Sequence, residues 1–141
     1  MRQLEVTFDL DRLEGYALDA ELERAELARP GIKLLPRDPA AASLVVAFTT
    51  FPGLVARFGR WFVDAFPACG CDACGEIADG EIARLARMVD ALIAGRFRET
   101  LWIPNGAEGW QAATFWFATK SCSQRTRLER TRAQQMLAST A

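Results

Sequence analysis

Near the start of the chain Leu4, Val6, Phe8 and Leu10 recur at every second residue, a pattern that predicts a strand with one face on a core. The period then changes. Asp11 followed by Glu14 has the spacing of a capping box, and Leu13, Tyr16, Ala17, Ala20 and Leu27 fall near one face of a helix of roughly four turns. Arg29-Pro30-Gly31 is expected to end that helix, and the stretch KLLPRDPAAAS, with two prolines and small residues, to form a connecting loop.

The run SLVVAFTTF, residues 43–51, is dense in β-branched and aromatic residues and is followed by Pro52-Gly53, a turn signal. A hairpin is predicted, with LVARFGRW as the return strand. FVDAF, residues 62–66, fits either a strand extension or one helical turn. Farther on, Ile82, Leu85, Val89, Leu92 and Ile93 make a helical stripe closed by Gly95, while Arg84, Arg87 and Asp90 lie on the other side. RFRETLWI and GWQAATFWFA then read as a second hairpin around Pro104, Asn105 and Gly106. From Ser121 onward Arg125, Arg127, Arg130 and Arg132 accompany only Leu128, Met136 and Leu137 as large apolar residues, which predicts a weakly amphipathic helix or a tail.

Strand, helix, hairpin, helix and hairpin without regular βαβ alternation predict an α+β domain. The expected form is an antiparallel sheet of about five strands with helices packed on one face, with a mixed sheet as the alternative. The 141 residues suit a single domain, 1–141, whose residues 121–141 are expected to be a weakly packed basic helix or tail. That length builds a core without disulfides.

Composition narrows the chemistry. The chain has no histidine, which removes Ser-His-Asp and Cys-His catalysis and histidine metal ligation within one chain. Acid-base work falls to carboxylates, Lys33, Lys120, Tyr16 or the cysteines. A net charge of -1 argues against generic attraction to polyanions or anionic membranes, so no nucleic acid and no membrane is expected as a partner. The four tryptophans are expected to fill the core, and the arginines after position 124 to form a solvated helix face. No apolar run of signal-peptide or membrane-span length is present, and a cytoplasmic location is expected. Phosphate-loop and dinucleotide-binding fingerprints are absent from the sequence.

The chemistry-bearing stretch is FPACGCDACGE, residues 66–76, where Cys69, Cys71 and Cys74 have the spacing C-x-C-x-x-C. In a reducing compartment clustered thiols serve more often as metal ligands or redox groups than as structural disulfides. Three readings follow. In the first the cysteines fill a tight loop as small hydrophobes without metal. In the second Cys122, just beyond the second hairpin, joins Cys69, Cys71 and Cys74 as candidate ligands of a four-thiolate zinc site. In the third Cys71 and Cys74 act as a redox pair ahead of a helix, although Asp72, Glu76 and Asp79 would raise their thiol pKa values rather than lower them.

Residues 51–76, FPGLVARFGRWFVDAFPACGCDACGE, resemble an uncharacterised family of small bacterial proteins, a domain of unknown function. That family is marked by a Phe-Pro-Gly turn, an FGRW-like strand and a CGCDAC cluster. An acidic residue often follows the third cysteine of that pattern, where this chain has Gly75. The resemblance implies a bacterial cytoplasmic protein of one shared domain and carries no activity with it. The leading functional expectation is a non-enzymatic small domain with a cysteine-rich structural or partner-binding loop, for which zinc is the candidate metal. The alternatives are a thiol-dependent oxidoreductase using Cys71 and Cys74, and a protein-binding adaptor or inhibitor. A protein partner or a homodimer fits the acidic N-terminal segment and basic C-terminal segment.

Overall fold

The computed structural model describes residues 10–15, 27–50, 53–68 and 77–139. In chain order these form β1 (Leu10–Gly15), β2 (Leu27–Pro36), β3 (Leu44–Thr49), β4 (Gly53–Phe58), β5 (Phe62–Phe66), α1 (Ala78–Ile93), β6 (Phe97–Trp102), β7 (Gly109–Trp116), β8 (Ser121–Leu128) and α2 (Arg130–Ala138). Strands β1 to β5 make one antiparallel meander and β6 to β8 a second. The antiparallel α+β expectation is therefore met with two sheets in place of one. All pairings among the described residues are antiparallel, so the mixed-sheet alternative is not realised there.

Both predicted hairpins form. Thr49 faces Gly53 across the first, and Trp102 faces Trp110 across the second, whose turn places Gly106 at φ 70°. FVDAF resolves as strand β5, paired with β4 from Leu54↔Phe66 to Phe58↔Phe62. The end of α1 is also as predicted. Gly95 sits at φ 68°, its N–H bonds Leu92 O at 3.1 Å, and the Arg96 N–H bonds Ala91 O at 2.7 Å, which together satisfy the last carbonyls in a Schellman arrangement.

Three segments depart from expectation. Asp11 and Glu14 belong to β1, not to a helix cap, and Asp11 accepts from Arg37 at 3.2 Å beyond the end of β2. The span Arg29-Pro30-Gly31 lies inside β2, where the register with β3 shifts between Leu27, Arg29 and Ile32. A proline has no N–H for a ladder, and a bulge is where a strand tolerates one. Residues 121–128, expected as helix or tail, instead form β8 along β7, and only residues 130–138 are helical. The predicted strand over Leu4–Phe8 and most of the predicted first helix lie outside the described residues.

The core lies where the two sheets and α1 meet. Ile32, Leu34, Leu44, Val46, Ala56, Phe58, Phe62 and Phe66 from the larger sheet join Met88, Ala91 and Leu92 from α1 and Ala113 and Phe115 from β7. At its centre the Phe115 ring packs edge-on to Phe58 at 5.3 Å and Phe62 at 5.4 Å, and tilted on Phe97 at 4.7 Å. Helix α2 reaches β7 through a close contact, since a Cβ on Gly109 would overlap that of the buried Ala133.

The α1 stripe is displaced toward the helix C-terminus. Met88, Ala91 and Leu92 are buried and Leu85 and Val89 pack partly against the core, but Ile82 is 65% exposed and Ile93, also expected in the stripe, is 37% exposed. The spacing of Ile82 matches the stripe, yet its position in the first turns carries it past the edge of the core. Leu92→Ala is accordingly expected to cost about 2–5 kcal/mol, and Ile82→Ala no more than about 0.5 kcal/mol. Chemical denaturation of the two variants checks the orientation, and comparable losses would show it to be wrong.

Candidate functional site

The cysteine segment is mounted between the end of β5 and the start of α1. Cys69, Cys71 and Cys74 themselves lie outside the described residues, so the frame on either side is what can be built from the residues upward. Phe66, the last residue of β5, is buried and pairs with Leu54 of β4. Gly53 is required beside it, because a Cβ there would stand 2.8 Å from Phe66 O and 3.1 Å from Pro67 Cδ. The Phe-Pro-Gly stretch thus ends in a glycine that lets the β3–β4 turn close against the strand leading into the cysteines.

Arg84 ties the two sides of the frame together. From the second turn of α1 its guanidinium donates to Asp64 Oδ2 at 2.5 Å and to Ala65 O at 2.6 Å, both on β5, and to Glu81 Oε2 at 2.7 Å on its own helix. It also lies over the Phe66 ring, 4.0 Å from the centroid. Burial by itself lowers the Arg84 pKa, but the hydrogen bonds and charges of Glu81 and Asp64 outweigh it and raise the group above its ordinary value. A planar fork with several donors suits this task better than a lysine, since one side chain satisfies two carboxylates and a carbonyl at once.

Two cavities adjoin the frame. A shallow groove of about 350 Å³ runs past both ends of the cysteine segment, lined by Leu54, Phe66, Pro67, Ala78, Ile82 and Leu85 among others. Ile82 on its wall is exposed, as is Ile77, the chain neighbour of Ala78. A second, of about 160 Å³, lies between β5, α1 and the second sheet, with Phe62, Met88, Phe115 and Phe117 as apolar walls and Asp64, Arg84, Arg87 and Lys120 as charged ones. Cys122 lines this second cavity from β8 and is a free, exposed thiol. Among the described residues, Cys122 is thus brought near Asp64 and Arg84, which stand on the two elements that flank the other cysteines. No group of three or more metal-ligating side chains converges among the described residues.

Sequence reasoning missed a second anchoring site. Glu99 on β6 accepts backbone hydrogen bonds from Arg60 at 2.5 Å, Trp61 at 3.0 Å and Phe62 at 3.2 Å, so one carboxylate gathers three successive N–H groups of the β4–β5 turn. Gly59, at φ 69°, precedes them in this turn. The available signal was the FGRW string itself, whose glycine between two bulky residues marks a special backbone conformation. No pattern in the sequence pointed to Glu99 as its partner.

A small antiparallel α+β fold in which Arg84 ties strand β5 to helix α1 defines a class by architecture, not by an activity. The chain belongs to a family of unknown function, DUF6226, which matches it over residues 1–141. No curated protein and no solved structure gives a significant match. Among the described residues no helix is long and apolar enough to cross a membrane.

Proposed function

We propose that the chain is a non-enzymatic domain that presents residues 69–76 as a structural or partner-binding element, within a bacterial cytoplasmic protein whose helices cover one side of the sheets. The observation that carries this reading is the Arg84 clamp. By bonding Asp64 and Ala65 before the segment and Glu81 after it, Arg84 ties the strand that leads into residues 69–76 to the helix that follows them, the arrangement by which rigid scaffolds hold recognition loops. The apolar groove beside both ends offers adjoining surface to a protein partner.

Zinc remains the candidate metal, with Cys69, Cys71, Cys74 and Cys122 as its ligands. The position of Cys122 beside residues of β5 and α1 supports including it. The experiment is metal analysis of protein purified anaerobically without added metal, combined with the variants Cys71→Ser and Cys74→Ser. The expected result is folded, metal-free protein before and after substitution, with about 1 kcal/mol of stability lost. Stoichiometric zinc that leaves on acidification, and is lost together with stability in Cys71→Ser, would assign the segment as a metal site. Disulfide reductase activity abolished by either substitution in folded protein would overturn the non-enzymatic reading.

A further inference from the structure

The second sheet has one face on the core and one turned away from it. Ala113 and Phe115 of β7 are buried, so the alternate residues Trp110, Ala112, Thr114 and Trp116 point to the opposite face. Register extends this face across the sheet. Trp110 pairs with Trp102 on β6 and Arg127 on β8, Ala112 with Thr100 and Arg125, and Thr114 with Arg98 and Ser123. Three tryptophans and three arginines therefore share one surface with small hydroxyl residues. Trp116 is 42% exposed, Arg98, Arg125 and Arg127 are exposed, and among the described residues neither helix packs on this side, since α1 meets the core around Phe115 and α2 meets Gly109.

We infer that this face binds single-stranded nucleic acid, with Trp102, Trp110 and Trp116 as stacking platforms for bases and Arg98 and Arg125 as phosphate contacts. The expectation of no such partner assumed core tryptophans and helical arginines; strand β8 instead sets arginines beside the tryptophans. Arg125 lies 5.5 Å from the Trp102 ring and 5.9 Å from the Trp110 ring, reaching across the small Ala112. Aromatic rings interleaved with guanidinium groups on an open sheet are what a strand of stacked bases and charged linkers requires. Along β7 the six residue-to-residue steps from Trp110 to Trp116 span about 20 Å, room for several nucleotides.

Charge favours this occupant over a neutral sugar or a basic protein segment, and the exposed rings favour stacked bases over an acidic helix. Residues 96–132 carry seven arginines and lysines against three glutamates, a local charge of +4 in a chain whose total is -1. Among the described residues of this face the acid is Glu108, which is bound to Arg127. Flatness matters too, because a sheet lets successive bases lie on successive rings without a groove of fixed width.

The test is fluorescence anisotropy of labelled 12-mers of deoxythymidine and of uridine, in about 50 and 200 mM salt. Saturable binding of either oligomer that weakens in the higher salt is expected. Trp116→Ala should weaken it by about 5- to 100-fold, and Arg98→Ala and Arg125→Ala should each reduce the salt slope by about one. Trp116 and Arg98 are exposed, so these variants are expected to keep the wild-type circular dichroism, which separates loss of binding from loss of fold. Absence of binding to both oligomers at tens of micromolar protein in the lower salt would overturn the inference. Binding unaffected by Trp116→Ala and matched by heparin would reduce the face to a generic anion surface, and binding of a neutral oligosaccharide in place of the oligomers would assign it to sugar; both outcomes overturn it.

Discussion

Phe115→Ala is expected to remove about 3–5 kcal/mol of folding stability, the largest effect of any single substitution considered for this protein. Phe115 is 2% exposed, and its ring touches phenylalanines of β4, β5 and β6 together, at Phe58, Phe62 and Phe97. Truncation loses the transfer energy of the ring and leaves a void between two sheets. The walls of that void cannot close in easily, because Phe58 and Phe62 are held in the β4–β5 ladder and Phe97 in the β6–β7 ladder. Phe117 makes the contrast. Its ring stacks on Phe115 at 6.5 Å from the half-buried edge of the same cluster, so Phe117→Ala should cost distinctly less. For a domain with roughly 5–15 kcal/mol in hand, the Phe115 loss should lower the melting temperature by roughly 10–20 °C. Calorimetry of both variants decides it, and a Phe115→Ala loss below about 1.5 kcal/mol would mean that the sheets do not depend on this ring for their association.

What could be read from the sequence depended on whether local pattern and tertiary burial pointed the same way. Both hairpins and α1 were legible because apolar period and turn residues agreed, down to Gly95 as the cap. Strand β1 was not. Its residues 11–14 are all exposed, so no period-two burial marks it, and the spacing of Asp11 and Glu14 imitates a helix start. Strand β8 was hidden for the same reason: as an edge strand, exposed from Ser121 to Arg127, it is held by its ladder to β7 and needs no apolar alternation. Strands β6 and β7 carry large residues on both faces, so period alone could not say whether Phe97 and Phe115 or Trp102 and Trp110 would face the core. Of the candidate site, the glycines were visible as punctuation. Arg84 and Glu99 were not, because each acts on a segment 19 to 39 residues away, and no local spacing encodes that pairing.

Glu99→Ala and Gly59→Ala are expected to destabilise the protein by about 2–4 kcal/mol each and to be strongly non-additive when combined. Glu99 accepts from the N–H groups of Arg60, Trp61 and Phe62. Water can replace it at exposed Arg60, but Trp61 is half-buried and Phe62 buried, so at least one donor is left without a partner. Gly59 acts on the same contact from the other side. At φ 69° an alanine is strained by its own backbone, and its Cβ would overlap Glu99 Oε1 and stand 2.9 Å from Phe97 Cε1. A free glutamate would swing aside, but this one is pinned by three donors and can yield only by releasing them. Gly59→Ala therefore removes much of what Glu99→Ala removes. In the Glu99→Ala background the further loss from Gly59→Ala should shrink to about 1–2 kcal/mol, the cost of the left-handed backbone alone. A double-mutant cycle by urea denaturation measures this directly. Full additivity would show that the glycine is needed only for its backbone angle, and that the carboxylate neither holds the turn nor excludes a side chain from it.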